Sequence, residues 1–426
     1  MDMLNTVRQA FRVPEMRRKI IFTILMLIVF RIGSCIPVPG MNREALASVF
    51  TGESGLFDLF DLFSGGSFSN FTIFALSITP YVTASIIVQL LTIAFPYFER
   101  LASEGTEGRK KMAAITRYMT VVLALIQATG LTVGLFRQAV AEQNAFNFIV
   151  IILVLTAGTA FLMWLGEQIN ENGIGNGISL LIFAGIISRI PTDIRRIVTQ
   201  YKDGGIGILA IILFILFAIL VVVGVIIIQQ GTRRIPVQYA KRVVGRKMYG
   251  GQSTHIPLKV NQAGVIPVIF ALSILQFPLT ITYFLSAESG FTQFVTKWLS
   301  PNGNPGVWVY AILNVLLILF FNYFYTAVTF NPVEVGQNLK SNGGFIPGIR
   351  PGRATVDYLS KTMSRLTLVG GIFLAIIATL PTLISQYTGM NIHFGGTSLL
   401  IAVGVAIDTM RQLENQMVMR NYRGFL

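Results

Sequence analysis

Long apolar runs, separated by short polar or Gly/Pro-rich breaks, dominate the chain. The run from Ile208 to Ile228 contains no polar side chain, and about 20 apolar residues are enough for a helix to cross a hydrocarbon core of roughly 30 Å. Ten such runs are separated by breaks along the sequence. They predict ten membrane-spanning helices, at residues 20–37, 72–95, 113–136, 146–166, 178–197, 206–229, 262–284, 306–329, 366–387 and 397–413.

The composition agrees with a membrane protein. Of the 426 residues, 53% are hydrophobic and only 12% are charged, whereas soluble proteins have roughly 25% charged residues. The single cysteine, Cys35, excludes an internal disulfide, and His255 and His393 are too few for a zinc or haem cluster. The sequence therefore predicts no catalytic residues, no metal site and no cofactor.

The distribution of basic residues predicts the orientation. Lys and Arg in short loops are retained on the cytoplasmic side, and about 25 of the 33 Lys and Arg residues fall in the two tails and in alternate loops. Both termini are therefore expected in the cytoplasm of a multi-pass cell-membrane protein. One cluster at the outer end of the fifth span does not fit this pattern: Arg189, Arg195, Arg196 and Lys202.

Ten spans divide into two sets of five, residues 1–200 and 201–426, and an odd number per set inverts the second half relative to the first. Two basic cytoplasmic loops, at about 230–261 and 330–365, are longer than a helix connection needs. They either enforce topology and contact anionic lipid, or dock a partner such as a ribosome or an acidic protein surface.

The segment Leu56-Phe-Asp-Leu-Phe-Asp-Leu-Phe63 predicts a short helix between the first two spans. Eight residues make a helix of about 12 Å, which is too short to cross. It is followed by the Gly/Ser-rich Ser64-Gly-Gly-Ser-Phe-Ser-Asn70. The helix either lies on the outer membrane surface or re-enters the protein as a stopper.

The spans are nearly free of acids, so an ion-coupling site is not visible. Asp408 and Glu167 lie near span ends, where carboxylates usually mark interfaces. Arg31 lies inside the first span and either snorkels outward or pairs within the bundle. No Walker-type phosphate-binding loop occurs, and the glycine-rich segment 172–177 is expected to form a tight turn.

Several motifs together resemble the SecY family of protein-conducting channel subunits. They occur in family order over nearly the whole chain: Ile78-Thr-Pro-Tyr81, Ala84-Ser-Ile-Ile-Val-Gln-Leu-Leu91, Glu171-Asn-Gly-Ile-Gly-Asn-Gly-Ile-Ser179, Gln252-Ser-Thr-His-Ile-Pro-Leu-Lys-Val-Asn261, Gly264-Val-Ile-Pro267, Phe345-Ile-Pro-Gly-Ile-Arg-Pro-Gly352 and Gly395-Gly-Thr-Ser-Leu-Leu400. The resemblance implies an all-α polytopic membrane protein, with ten transmembrane helices in two inverted five-helix halves and a short re-entrant plug helix at about 56–66.

The resemblance also implies the functional residues. The pore ring is expected at Ile78, Val82, Ile178, Ile182, Ile269 and Ile401. The plug is expected at Leu56, Phe57, Asp58, Leu59, Phe60, Asp61, Leu62 and Phe63. A lateral gate between spans two and seven is expected to bring together Gln89, Gln127 and Asn261, and partner docking is expected at Arg242, Arg246, Lys247 and Arg350.

The function implied is a channel that passes secretory polypeptides and releases hydrophobic segments sideways into the lipid bilayer. The implied partners are SecE-type and SecG-type small membrane subunits, a SecA-type ATPase, the ribosome, signal peptides and nascent polypeptides. The alternative is a secondary transporter of a small solute, which needs a binding site near the middle of the membrane. A membrane-embedded hydrolase is a more distant alternative, because no paired acid and base are visible.

Overall fold

The computed structural model describes residues 3–42, 45–46, 64–204, 207–239, 242–244, 247–249, 253–282, 284–285, 289–299, 306–388 and 396–423. Up to residue 204 the described chain forms α1 (Met3–Arg12), α2 (Pro14–Gly33), α3 (Thr79–Ala94), α4 (Pro96–Ser103), α5 (Thr106–Thr129), α6 (Ala145–Asn172) and α7 (Gly177–Lys202). A π-helix, Gly130–Leu135, and a 3₁₀ turn, Arg137–Ala139, follow α5.

The remaining described chain forms α8 (Ile208–Gln230), α9 (Ile266–Thr282), α10 (Gly290–Trp298), α11 (Gly306–Thr329), α12 (Pro332–Ser341), α13 (Arg353–Thr388) and α14 (Gly396–Arg423). Five strands occur among these helices: β1 (Thr232–Tyr239), β2 (Arg242–Val244), β3 (Lys247–Tyr249), β4 (Ser253–Lys259) and β5 (Gly344–Phe345).

The ten predicted spans fall on helices α2, α3, α5 to α9, α11, α13 and α14. In the described part of the chain, six helical stretches are long and apolar enough to cross a membrane by themselves: Thr106–Leu135, Ala145–Asn172, Gly177–Lys202, Ile211–Gln230, Gly306–Ser341 and Arg353–Leu380. Helices α3 and α4 meet the same criterion as a pair, but they bend by 102°. The bend falls at Phe95, because Pro96 begins α4 and cannot continue the hydrogen bonding of α3.

The first basic loop is a structured β-hairpin. Strand β1 pairs antiparallel with β4, from Thr232 opposite Lys259 to Gln238 opposite Ser253. Side chains alternate along β1, where Ile235 and Val237 are buried and their neighbours are exposed, as expected for a sheet with one covered face.

The second basic loop joins this hairpin. Strand β5 pairs with β1 through Gln238 opposite Phe345, so the two loops share one three-stranded sheet. A separate hydrophobic core holds the sheet against α12 and the start of α13, and it consists of Ile235, Val237, Leu258, Leu339, Ile346, Leu359 and Met363. The loops expected at 230–261 and 330–365 are therefore one folded unit, because their alternating apolar residues form a core of their own.

The helices pack as two sets with contacts between them. Within residues 1–200, α2 packs on α6 and α7, and α3, α5, α6 and α7 pack in series. In the later part, α8 packs on α14, and α9, α11, α13 and α14 pack in series. Helix α3 contacts α9, and α7 contacts α14, so these two pairs join the sets. The division at residue 200 stays a prediction.

Candidate pore, lateral gate and docking surface

The start of α7 is fixed by a side-chain cap. Asn176 Oδ1 accepts the backbone N–H groups of Ile178 and Ser179 at 3.1 and 3.2 Å, which is the usual arrangement at a helix N-terminus. The backbone N–H of Gly177 donates to Asn170 Oδ1 at 2.7 Å. The glycine-rich segment is therefore a tight turn between α6 and α7, and it determines which face of α7 carries the predicted ring residues.

Four of the six predicted ring residues surround one small cavity. Its water-accessible volume is about 10 Å³, close to the smallest volume that holds a single water molecule. The lining consists of Ser77, Ile78, Thr79, Val82, Ile182, Ile269, Ser273 and Gln276. Helices α3, α7 and α9 thus meet at a narrow constriction, where four branched apolar side chains lie beside the polar residues Ser77, Thr79, Ser273 and Gln276.

The other two ring residues do not line this cavity. Ile401, on α14, is completely buried in the same hydrophobic core as Ile182 and Ile269. Ile178 is half-buried and packs on that core, with its Cγ1 3.1 Å from the position that a Cβ would take on Gly166. The structure therefore gathers all six residues in one core, but the constriction itself is formed by four of them.

The three predicted gate amides do not form one cluster. Gln89 is half-buried on α3, and Asn261 is buried just before α9, where its Nδ2 donates to Gly264 O at 2.9 Å. Gln127 is buried in α5, one turn before Gly130. Because Gly130 contacts the residue Phe284, just beyond the far end of α9, Gln127 and Asn261 lie near opposite ends of a helix about 25 Å long.

The contact between Gly130 and Phe284 was not predicted from the sequence. The Phe284 ring lies directly over Gly130, leaving no space for a Cβ. Gly130 is also the first residue of the π-helix, a distortion that is frequent at functional sites. No local sequence signal identifies this pair, because its members lie in different predicted spans.

The predicted plug residues, Leu56 to Phe63, lie outside the described residues. The description resumes at Ser64, whose Oγ accepts the backbone N–H of Phe68 at 3.0 Å. Phe68 and Phe71 are buried there against Phe136. Their ring centroids lie 5.8 and 4.7 Å, respectively, from the ring centroid of Phe136. The segment that follows the predicted plug is therefore packed against Phe136, the residue directly after the π-helix.

Arg350 lies in an exposed turn between β5 and α13. Gly348 and Gly352 flank it with φ angles of +82° and +103°, conformations that favour glycine. Thr355 Oγ1 donates to the carbonyl of Arg350 at 2.9 Å. The backbone of this turn is thus held in place while the guanidinium side chain faces solvent.

The other predicted docking residues fall where less is described. Arg242 and Lys247 lie in the strands β2 and β3, which pair antiparallel with each other, and Arg246 lies outside the described residues.

The basic cluster at the end of α7 divides into two kinds of residue. Arg189 is buried, as is Asp193 one turn later, whereas Arg195, Arg196 and Lys202 are exposed. Arg189 is thus part of the protein interior rather than of a basic surface.

Comparisons with known proteins agree with the resemblance. The family model SecY matches residues 72–410. The chain is 50% identical over 435 residues to the protein translocase subunit SecY of Halalkalibacterium halodurans, and the alignment covers 100% of both chains.

Solved structures share the fold. One is a SecY structure whose plug domain is described as stabilising the closed state of the translocation channel and maintaining a membrane seal. It has a TM-score of 0.68 at 23% identity and covers 94% of this chain and 92% of that one. Sec61 in the canine ribosome–channel complex has a TM-score of 0.62 at 20% identity, with 94% and 93% covered. These proteins give the solute-transporter alternative no support. The chain belongs to the SecY family of multi-pass membrane subunits of the protein translocase.

Proposed function

We propose that this chain forms the channel through which secretory polypeptides cross the membrane and from which hydrophobic segments leave sideways into lipid. The observation that carries the proposal is the narrow constriction between α3, α7 and α9, where the branched apolar side chains of four predicted ring residues meet. A collar of branched apolar side chains offers ions no hydrogen-bonding partner and loses water when it is narrow. It also adapts to many different side chains, which a channel for unfolded polypeptides requires.

The ring residues Ile78, Val82, Ile178, Ile182, Ile269 and Ile401 seal the resting channel. The segment 56–63 acts as the plug on one side of this seal. Support comes from the burial of the described ring residues in a single core and from the SecY structure whose plug domain is described as maintaining a membrane seal.

The lateral gate lies where α3 and the end of α5 meet α9 and the residues after it. Helix α3 contacts α9, and Gly130 contacts Phe284. Gln89, Gln127 and Asn261 are buried or half-buried amides on the elements that meet here, and Asn261 donates within its own segment, to Gly264 O. A signal peptide that inserts between the two sets of helices displaces the packing of α3 on α9 and of Phe284 on Gly130.

The cytoplasmic sheet and its flanking turns form the docking surface. Arg350 presents a permanently charged guanidinium, which suits carboxylates and RNA phosphates. Further positive charge comes from the segment between β1 and β4, which contains Arg242, Arg246 and Lys247. A SecA-type ATPase and the ribosome are the partners of this surface, in line with the Sec61 relative that was solved bound to a ribosome.

SecE-type and SecG-type subunits complete the complex within the plasma membrane. Both termini are cytoplasmic, as the distribution of Lys and Arg indicates. Residues 1–200 and 201–426 are the two halves that part when the channel opens.

The test is transport by the purified complex. The chain is reconstituted into vesicles with SecE-type and SecG-type subunits, and a SecA-type ATPase and a preprotein are added. We expect ATP-dependent protection of the preprotein from added protease, with vesicles lacking the chain as the control. The proposal is contradicted if the complex is intact and the motor hydrolyses ATP, but the preprotein stays fully accessible to the protease.

A further inference from the structure

Arg31 has no part in the ring, the gate or the docking surface. It lies in the last turn of α2, within the predicted first span. Charged residues inside membrane spans are costly and usually functional. The contacts of its guanidinium group therefore point to a role for this residue.

Two side chains from different helices converge on the backbone carbonyl of Gly65. Arg31 Nη1 donates to this oxygen from α2 at 3.3 Å, and Ser188 Oγ reaches it from α7 at 3.2 Å. Ser188 Oγ also lies 2.7 Å from Gly185 O, so its single proton is shared between two carbonyls. The hydrogen bond from Arg31 to Gly65 O, by contrast, is not shared with Gly185 O.

Gly65 also touches α7 directly. Its φ angle is +64°, and a Cβ on it would lie 2.7 Å from Gly185 Cα and 2.9 Å from Gly185 O. Both the left-handed conformation and the backbone contact exclude a side chain at this position. The segment that leaves the predicted plug is thus seated on α7 and held there by α2.

This seat connects two parts of the constriction. The segment from Gly65 leads to Ile78 at the start of α3, and Gly185 follows Ile182 by one turn on α7. Ile78 and Ile182 line the same cavity. Loss of the contact at Gly65 therefore removes one of the contacts between the chain that leads to Ile78 and the helix that carries Ile182.

We infer that Arg31 and Ser188 are positioning residues that clamp Gly65 on α7 and thereby keep the constriction closed. The inference rests on the proposed sealing role of the ring. A polar cavity of about 390 Å³ lies beside the clamp and is lined by Arg31, Gly65, Gly66, Ser69 and Asn70, among others. The cavity is large enough to admit water to the rest of the guanidinium group, and hydration there would offset the cost of the charge.

The test is Arg31→Met in the reconstituted complex, because methionine keeps an unbranched apolar stem and removes both the donor and the charge. We expect amide hydrogen exchange in residues 64–78 to become faster by on the order of tenfold, the loss that follows from one charge-assisted hydrogen bond. We also expect the resting ion conductance to rise. Arg137→Met is the matched control, since Arg137 is an exposed arginine on the same predicted side of the membrane.

Ser188→Ala tests the second donor and serves if Arg31→Met does not assemble. We expect a smaller increase in exchange from this variant, and an increase in the double variant that exceeds the product of the two single effects, because each donor partly replaces the other.

The clamp is overturned if amide hydrogen exchange in residues 64–78 stays at the wild-type rate in both single variants. Arg31 then only extends its charged end towards water. Equal effects of Arg31→Met and Arg137→Met also overturn it, because they indicate a general charge effect. Hydrogen exchange needs no transport, so failure of the proposed transport function is distinguishable from failure of the clamp.

Discussion

Truncation of Ile182 tests whether the constriction is the seal. Ile182 is 3% exposed and lines the cavity between α3, α7 and α9. Ile182→Ala removes three carbon atoms, each of which contributes about 0.8 kcal/mol when it is buried. The closed state should therefore lose about 2–3 kcal/mol relative to a state in which the ring has opened and this side chain is no longer packed.

That loss predicts a large change in leak. An energy of about 2–3 kcal/mol corresponds to a roughly 30- to 140-fold increase in the open fraction. This is an upper bound, because contacts that survive opening reduce the difference. The assay is the resting ion conductance of the purified complex in a planar bilayer, without a motor or a preprotein, normalised to the amount of assembled complex.

Leu162→Ala is the matched control. Leu162 is completely buried in the same hydrophobic core, but it does not line the cavity. Its loss should lower thermal stability about as much as Ile182→Ala does while leaving the conductance near the wild-type value. The reasoning is refuted if both variants leak equally, because general loosening of the core then explains the leak, or if Ile182→Ala does not leak at all.

Three further changes test other parts of the molecule. Arg350→Glu should reduce motor-driven preprotein protection by at least tenfold, because an exposed docking charge is reversed, and circular dichroism should show an unchanged fold. Phe284→Ala should speed the insertion of hydrophobic segments into lipid, measured by crosslinking of a signal segment to lipid, because the contact over Gly130 is lost. Arg117→Gln should lower stability by only about 0.2–1 kcal/mol in thermal unfolding, because the 2.7 Å ion pair with Glu167 is partly exposed.

Each of these changes has its own control. Arg353→Glu reverses another exposed charge close to Arg350 and should transport better than Arg350→Glu; equal loss in both would remove Arg350 from the docking site. Phe291→Ala removes an aromatic side chain of similar exposure, and equal insertion rates in the two Phe variants would exclude a gate role for Phe284. A loss of several kcal/mol in Arg117→Gln would show that the ion pair acts as a buried one.

Hydropathy predicted the helices well because a membrane-spanning helix satisfies all its backbone hydrogen bonds within one continuous apolar run. It did not predict the three-stranded sheet, because β1 pairs with β5 more than one hundred residues away in sequence. A weaker signal was present, since Ile235 and Val237 alternate with polar neighbours. Arg233 and Arg234 precede this alternation, and their charge is equally typical of a loop that sets membrane topology.

The functional residues divide in the same way. Aliphatic pairs four residues apart are common in every span, so spacing alone does not distinguish Ile178 and Ile182 from many others. The expectation that they belong to the ring came from the family motifs. The clamp at Gly65 shows a different limit. From the sequence, Arg31 either extends outward or pairs within the bundle. The folded chain shows that its partner is the backbone carbonyl of Gly65. Because every residue carries such a carbonyl, no sequence pattern identifies it.

The position of the sheet gives the proposed docking surface a short connection to the constriction. Strand β1 follows α8 directly, and the backbone N–H of Val260, just after β4, donates to Gly231 O at 2.9 Å. A Cβ on Gly370 of α13 would lie 2.8 Å from the carbonyl of Val260, so the base of the hairpin is wedged against α13. Helix α9 begins a few residues later and carries Ile269 in its first turn. We therefore expect a partner that moves the sheet to act on the start of α9, the helix that carries the predicted ring residue Ile269 and contacts α3.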